Sequence, residues 1–137
     1  MIKIPIREAR VKVLITGDMG MIGTEATRRF IREAHRPVVY ARHRDESLVA
    51  DILDRFDIEL GDVMDMPRLL QTIKKHKITH IVHAAAFVGA VSAANPALSI
   101  QVNVMGMVNV LEAARALDVQ RVVYTSEIWA RILRSCI

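Results

Sequence analysis

The residues best suited to chemistry are the run Thr16-Gly17-Asp18-Met19-Gly20-Met21-Ile22-Gly23. The run follows an apolar segment, VKVLIT at 11–16, and opens a helical pattern over 22–34. A glycine loop between a strand and a helix presents backbone N–H groups at the positive end of the helix dipole, which is where phosphates bind. Gly17 would permit the tight turn, Gly20 would let the backbone approach a pyrophosphate, and Gly23 would let the helix pack close to the strand. Asp18, Met19, Met21 and Ile22 complete the same candidate site. The Gly-x-x-Gly-x-x-Gly spacing is one residue wider than the usual dinucleotide fingerprint, and no lysine follows Gly23, as a nucleoside-triphosphatase loop would require. The bland reading is a strand–helix turn that happens to be rich in glycine.

The elements that must hold such a loop alternate along the chain. Strands are expected at 11–16, 38–41, 57–60, 79–84 and 121–125. Helices are expected at 22–34, at 65–76 with Pro67 in its first turn, and over the long stretch 96–117. Leu48, Ile52 and Phe56 recur every four residues, so the spacing also predicts a helix over 45–56. The runs VKVLIT, HIVHA and RVVYT are nearly continuous in apolar residues, as strands buried on both faces are. Strand–helix alternation implies βαβ units and a doubly wound parallel sheet in the α/β class, as one domain over 1–137.

Composition narrows the function classes. Of the 137 residues 52% are hydrophobic, enough for a packed core. No uninterrupted apolar run approaches the ~20 residues of a membrane span, and the first ten residues do not resemble a secretory signal. The net charge of +4 is scattered among acids such as Glu25, Asp51, Asp54 and Asp57, so neither nucleic acid nor membrane is an expected partner. The single cysteine, Cys136, cannot form an internal disulfide, so a reducing cytoplasm is the simplest compartment. His80 and His83 stand three apart on an expected strand and so face opposite ways; no metal site is expected from them and His76. Ser126 lacks the glycines of a nucleophile elbow. The seven methionines are most simply gap fillers.

The motifs in order resemble the extended short-chain dehydrogenase/reductase family, the NAD-dependent epimerases and dehydratases. After ITGDMGMIG come Gly61-Asp62-Val63, His83-Ala84-Ala85-Ala86, Asn95-Pro96, Asn103-Val104-Met105-Gly106, Leu111-Glu112-Ala113-Ala114 and Arg121-Val122-Val123-Tyr124-Thr125-Ser126. The resemblance covers 11–126 and leaves 127–137 as an atypical tail. It implies a Rossmann-type doubly wound sheet of about five strands, truncated relative to the family. Asp62 and Val63 would then sit by an adenine, Ala84, Ala85 and Ala86 would line the cofactor's edge, and Asn103 would brace the neighbouring backbone. Read without the resemblance, Asp62 is a turn residue, the alanines are a packed strand end and Asn103 is a solvated helix residue.

The family's NAD-binding members carry an acid at the end of the second strand. Here that place falls at Ala41, followed by Arg42, His43 and Arg44. An arginine attracts a 2′-phosphate that a carboxylate would repel, so the resemblance favours NADP(H) over NAD(H). Otherwise Arg42 and Arg44 are exposed loop charges. The family's Tyr-x-x-x-Lys pair is missing: four residues beyond Tyr40 and Tyr124 stand Arg44 and Ile128. Glu127 stands near the place of the assisting hydroxyl. No catalytic residue is therefore assigned. Three roles stay open: the dinucleotide-binding part of an epimerase, dehydratase or reductase, inactive by itself; a non-catalytic NADP(H)-binding regulatory or sensor module; and a remnant acting only in protein interaction. A nucleotide-sugar or small carbonyl substrate would belong to a longer relative, and a homo-oligomer is compatible with the sequence. The tail is expected to form an amphipathic helix on the sheet edge, with Ile128, Trp129, Ile132, Leu133 and Cys136 on one stripe.

Overall fold

The computed structural model describes residues 11–17 and 20–126. The expected tail helix, Glu127 and the loop positions Asp18 and Met19 lie outside the described residues. Strands β1 (Val13–Thr16), β2 (Val38–Ala41), β3 (Asp57–Leu60), β4 (His80–His83) and β5 (Arg121–Tyr124) form a sheet in the order β3-β2-β1-β4-β5. Every pairing is parallel. Parallel neighbours need crossovers, and helices α1 (Met21–Arg32), α2 (Met66–His76), α3 (Gly89–Ala94), α4 (Pro96–Ile100) and α5 (Gly106–Ala116) lie in them. The chain winds outward from β1 through β2 to β3, then returns to lay β4 against the other side of β1. The direction of winding reverses between β1 and β4, and such a reversal opens a crevice at the carboxyl ends of the strands.

Alternation along the strands fills both faces of the sheet. Leu14, Val38, Tyr40 and Ile81 pack with Leu69 and Ile73 of α2 and Val110 and Ala113 of α5. Val39 and Ala41 point the other way, to Ile31 of α1 and to Val49, Ile52 and Phe56. All four residues of β1 and of β2 are buried, which explains their continuous apolar runs. Helix α2 starts where Asp65 accepts a hydrogen bond from the Arg68 N–H at 3.0 Å, with Pro67 in the first turn.

Three features differ from expectation. Residues 45–56 form successive turns and a short 3-10 turn (Leu53–Arg55) in place of a helix. Val49, Ile52 and Arg55 each donate to the carbonyl three residues back. The Leu48 carbonyl, which an α-helix would offer to Ile52, instead accepts from Arg28 of α1 at 2.8 Å. Helix α3 was not expected. The long helical stretch is continuous but carries a π-helical turn (Gln101–Met105) between α4 and α5. By length and composition Pro96–Ala116 could cross a membrane, with a mean hydropathy of 1.3, a property the search for uninterrupted apolar runs missed. Its inner face, with Val102, Val110, Ala113 and Ala114, belongs to the sheet's core.

The outer strand β3 is tied to α2 by charge. The Glu59 carboxylate, nearly buried, accepts from Arg68 at 3.0 Å, Lys75 at 2.5 Å and His76 at 2.7 Å. Burial pushes this carboxyl up, but the bonds from His76 and Lys75 outweigh it and hold it below its ordinary range.

Candidate functional site

A cavity of about 300 Å³ opens at the carboxyl ends of β1, β2, β3 and β4. The first strand leads into it. Thr16 ends β1, and Gly17 turns away with φ of +126°, a conformation that L side chains rarely adopt. A Cβ on Gly17 would stand 2.9 Å from the Ala84 carbonyl carbon and 3.0 Å from the Ala85 nitrogen. Glycine is thus required here both by conformation and by the close passage of another backbone. The Ala84 N–H donates to the Thr16 carbonyl at 2.8 Å, so the chain leaving β4 stays paired with β1 up to this point.

Gly20 caps α1 in extended conformation, without a side-chain cap bond, and no acid stands in the helix's first turn. The N–H groups of that turn have no intrahelical acceptors and carry the positive end of the dipole. Gly20, Met21, Ile22 and Gly23 line the cavity, with Met21 83% exposed. A Cβ on Gly23 would lie 3.1 Å from the Gly17 carbonyl oxygen, so the third glycine lets the helix sit directly on the turn.

The far wall is the connection after β3. Gly61, Asp62 and Val63 line the cavity. The Asp62 carboxylate accepts from the Met64 N–H at 2.9 Å, which folds the loop back on itself. Tyr40, fully buried at the end of β2, donates its hydroxyl to the Asp62 carbonyl at 3.1 Å. Burial pushes the Tyr40 phenol up to about 12, so it stays a neutral donor. A Cβ on Gly61 would meet the Tyr40 hydroxyl oxygen at 2.2 Å. Asn109 of α5 donates to the Val63 carbonyl at 3.0 Å, and a Cβ on Gly106 would come within 2.7 Å of the Val63 side chain. The loop is therefore held by β2 on one side and by α5 on the other.

The near wall is the segment after β4. Ala84, Ala85, Ala86, Phe87 and Val88 line the cavity, and Arg42 closes the side next to β2. The Arg42 guanidinium lies over the Phe87 ring, 4.9 Å from its centre. Asn103 stands behind this wall. Its side chain accepts from the Phe87 N–H at 2.7 Å and donates to the Phe87 carbonyl at 2.8 Å. It sits in the π-helical turn, where the regular ladder is interrupted.

Beneath the crevice floor, His83 is completely buried, with Nδ1 2.6 Å from the Thr16 hydroxyl. Its ring stacks on Tyr124, 5.9 Å between centres, and its Nε2 finds no hydrogen-bond partner among the described residues. Burial pulls its pKa down to about 4, so the imidazole is neutral. The other two histidines weighed as ligands have partners of their own: His76 bonds Glu59 and His80 bonds Thr79. No group of three metal-ligating side chains occurs among the described residues.

A family model for the NAD-dependent epimerase/dehydratase family matches residues 13–127, almost the whole of the described fold. The chain belongs to the NAD-dependent epimerase/dehydratase family. An uncharacterized epimerase/dehydratase of Staphylococcus aureus (strain USA300) is 31% identical over 104 residues, which make up 76% of this chain and 32% of that protein. L-threonine dehydrogenase from Clostridium difficile has a similar structure, with a TM-score of 0.75 and 29% identity over 83% of this chain and 36% of that one. UDP-glucose 4-epimerase from Brucella ovis, solved in complex with NAD, gives a TM-score of 0.75 and 29% identity over 85% and 36% of the two chains. This family member thus spans about a third of the length of the curated relatives it matches.

Of the sequence candidates, the described glycines, Met21, Ile22, Arg42, Asp62, Val63 and the three alanines converge on the one cavity. Asn103 does not line it and acts on the wall from behind. Sequence reasoning passed over Tyr40, Gly61, Phe87, Val88 and Val102, which also line it. Gly61 had a signal, a glycine directly after a strand. Tyr40 and Phe87 had none, because their roles depend on partners 22 and 16 residues away in the chain.

The neutral, buried His83 generates a pH prediction. Its folded pKa lies near 4, below the ~6.5 of an exposed imidazole. Below pH ~6.5 the unfolded chain takes up a proton that the folded chain refuses, so stability falls as the pH drops toward 4 and this contribution then levels off. The loss is on the order of 3 kcal/mol. Urea unfolding across pH 7 to 4 should show it, and His83→Asn, which cannot titrate, should remove that share of the slope. An unchanged slope in the variant would exclude His83 as the cause.

Proposed function

We propose that this chain is a nicotinamide-dinucleotide-binding domain whose crevice at the β1–β4 reversal holds the cofactor. The observation that carries the reading is the coincidence, in one cavity, of a loop that tolerates only glycine at Gly17 and an uncapped helix N-terminus at Gly20. The residues fit such a group. The pyrophosphate would meet the N–H groups at the start of α1, where Gly20 leaves the backbone bare. The adenine would lie against Asp62 and Val63, and the alanines after β4 would leave room for the cofactor's edge. The Brucella epimerase that shares this fold was solved with NAD.

At the adenosine end the reading favours the phosphorylated cofactor. Ala41 ends β2 where a carboxylate would hold the ribose hydroxyls, and the next residue, Arg42, reaches the cavity. A guanidinium offers paired donors to a 2′-phosphate and gives a free 2′-hydroxyl much less.

When bound, the dinucleotide supplies hydride transfer; this chain's residues bind and orient it. These 137 residues contain no Tyr-x-x-x-Lys pair, so the acid–base step of an epimerase or dehydratase has no donor of that kind within them. A nucleotide-sugar or small carbonyl substrate is in keeping with the named relatives and would require residues beyond those that line this crevice. A cofactor-binding module without chemistry is the second reading, supported by that same lack.

Calorimetric titration of the purified chain with NADPH and NADH tests both levels. Gly20→Val should abolish or severely weaken binding of either nucleotide, because the new side chain blocks the pyrophosphate; equal affinity in the two proteins would sink the site assignment. Arg42→Ala should weaken NADPH selectively, by about 1–3 kcal/mol for a lost charge-assisted contact, and leave NADH nearly unchanged. Wild-type preference for NADH would refute the reading of Arg42.

A further inference from the structure

We propose that Phe87 is a specificity-determining residue: its ring fixes the Arg42 guanidinium in position to receive the 2′-phosphate of a phosphorylated dinucleotide. The inference rests on the proposed reading of the crevice and goes beyond it by naming what makes Arg42 selective.

Arg42 follows the last residue of β2, and Phe87 lies four residues past the end of β4. In the sheet β1 separates these two strands, so the stack at 4.9 Å spans the carboxyl end of β1. Both residues line the cavity. An arginine beside open solvent samples many rotamers and must be ordered when a phosphate binds. Stacking removes much of that freedom beforehand. It also uses only the face of the guanidinium, leaving the in-plane N–H groups at its edge as the donors that a phosphate takes in pairs. The ring and the anion therefore do not compete for the same part of the side chain.

The ring itself has to be fixed for this to work, and the structure holds it from behind. Asn103 bonds both the N–H and the carbonyl of Phe87, at 2.7 and 2.8 Å, closing a two-point clamp on that one residue. The clamp comes from the π-helical turn between α4 and α5, where the extra residue in the turn disturbs the regular helix. An irregularity in a core helix thus has a consequence at the cavity mouth, passing through Phe87 to Arg42.

The test is the ratio of NADPH to NADH affinity, measured by calorimetry on the full chain. Phe87→Leu should lower NADPH affinity about 3- to 10-fold and leave NADH affinity within twofold. Phe87→Tyr, which keeps the ring, should retain the wild-type ratio. In the Arg42→Ala background, Phe87→Leu should no longer change the ratio, because no guanidinium is left to place. If Phe87→Leu does not fold, Phe87→Met tests the same loss of a ring with an unbranched apolar side chain. Should Phe87→Leu or Phe87→Met weaken both nucleotides equally, or neither, while Arg42→Ala lowers the ratio, the proposal is overturned and the reading of Arg42 stands. Should Arg42→Ala leave the ratio unchanged, that reading fails and this proposal fails with it.

Discussion

Two backbones pass each other at the carboxyl ends of β1 and β4 with no room for a side chain between them. A Cβ on Gly17 would come within 3.0 Å of three backbone atoms of Ala84 and Ala85. That single close passage lets β1 and β4 stay paired to their last residues while their connections diverge, one into α1 and the other toward α3. The crevice exists because of this divergence. Its floor is made by the passage, its phosphate-facing side by the helix that starts at Met21, and its near wall by the alanines that follow His83. Any side chain at Gly17 would push the two strands apart and disturb all three.

Under that floor the structure places neutral polar groups and no charge. Thr16 and His83 meet across the β1–β4 pair in a fully buried contact, and His83 carries a nitrogen with no partner among the described residues. Leaving a buried polar atom unpaired costs free energy, and protonating the ring there would cost more. The loops above are treated differently. Tyr40, Asn103 and Asn109 each tie a loop backbone group with a neutral side-chain bond. Positions that would form the walls of the crevice are therefore fixed by the scaffold behind them, with strands and helices setting loop positions to within a hydrogen bond.

Much of this was legible in the sequence, and the reason differs from residue to residue. Glycines at 17, 20 and 23 are backbone requirements, and a backbone requirement shows directly in residue type. The buried strands show as apolar runs because both faces of the sheet are covered. The segment 45–56 misled because its apolar spacing suits a helix, while the carbonyl that would sustain the helix is taken by Arg28, distant in sequence. Gly61 could be noticed, but its partner Tyr40 could not, since nothing in the order of residues says that a phenol from β2 fills the space beside it. The same holds for Phe87 and Arg42: an alanine run followed by phenylalanine carries no mark of a cation stacked on its ring. The π-helical turn was hidden inside a stretch whose composition suits an ordinary helix.

The central claim is that a dinucleotide seats its pyrophosphate on the backbone at the start of α1. The most direct measurement is an amide-resolved NMR titration of the chain with NADPH. The account predicts that the largest shifts fall on the N–H groups of Gly20, Met21, Ile22 and Gly23, followed by those of Asp62, Val63 and Ala84 to Phe87, with the outer surface of α2 unmoved. Saturable binding that leaves the amides of residues 20–23 in place, or no binding at millimolar NADPH and NADH, would contradict it.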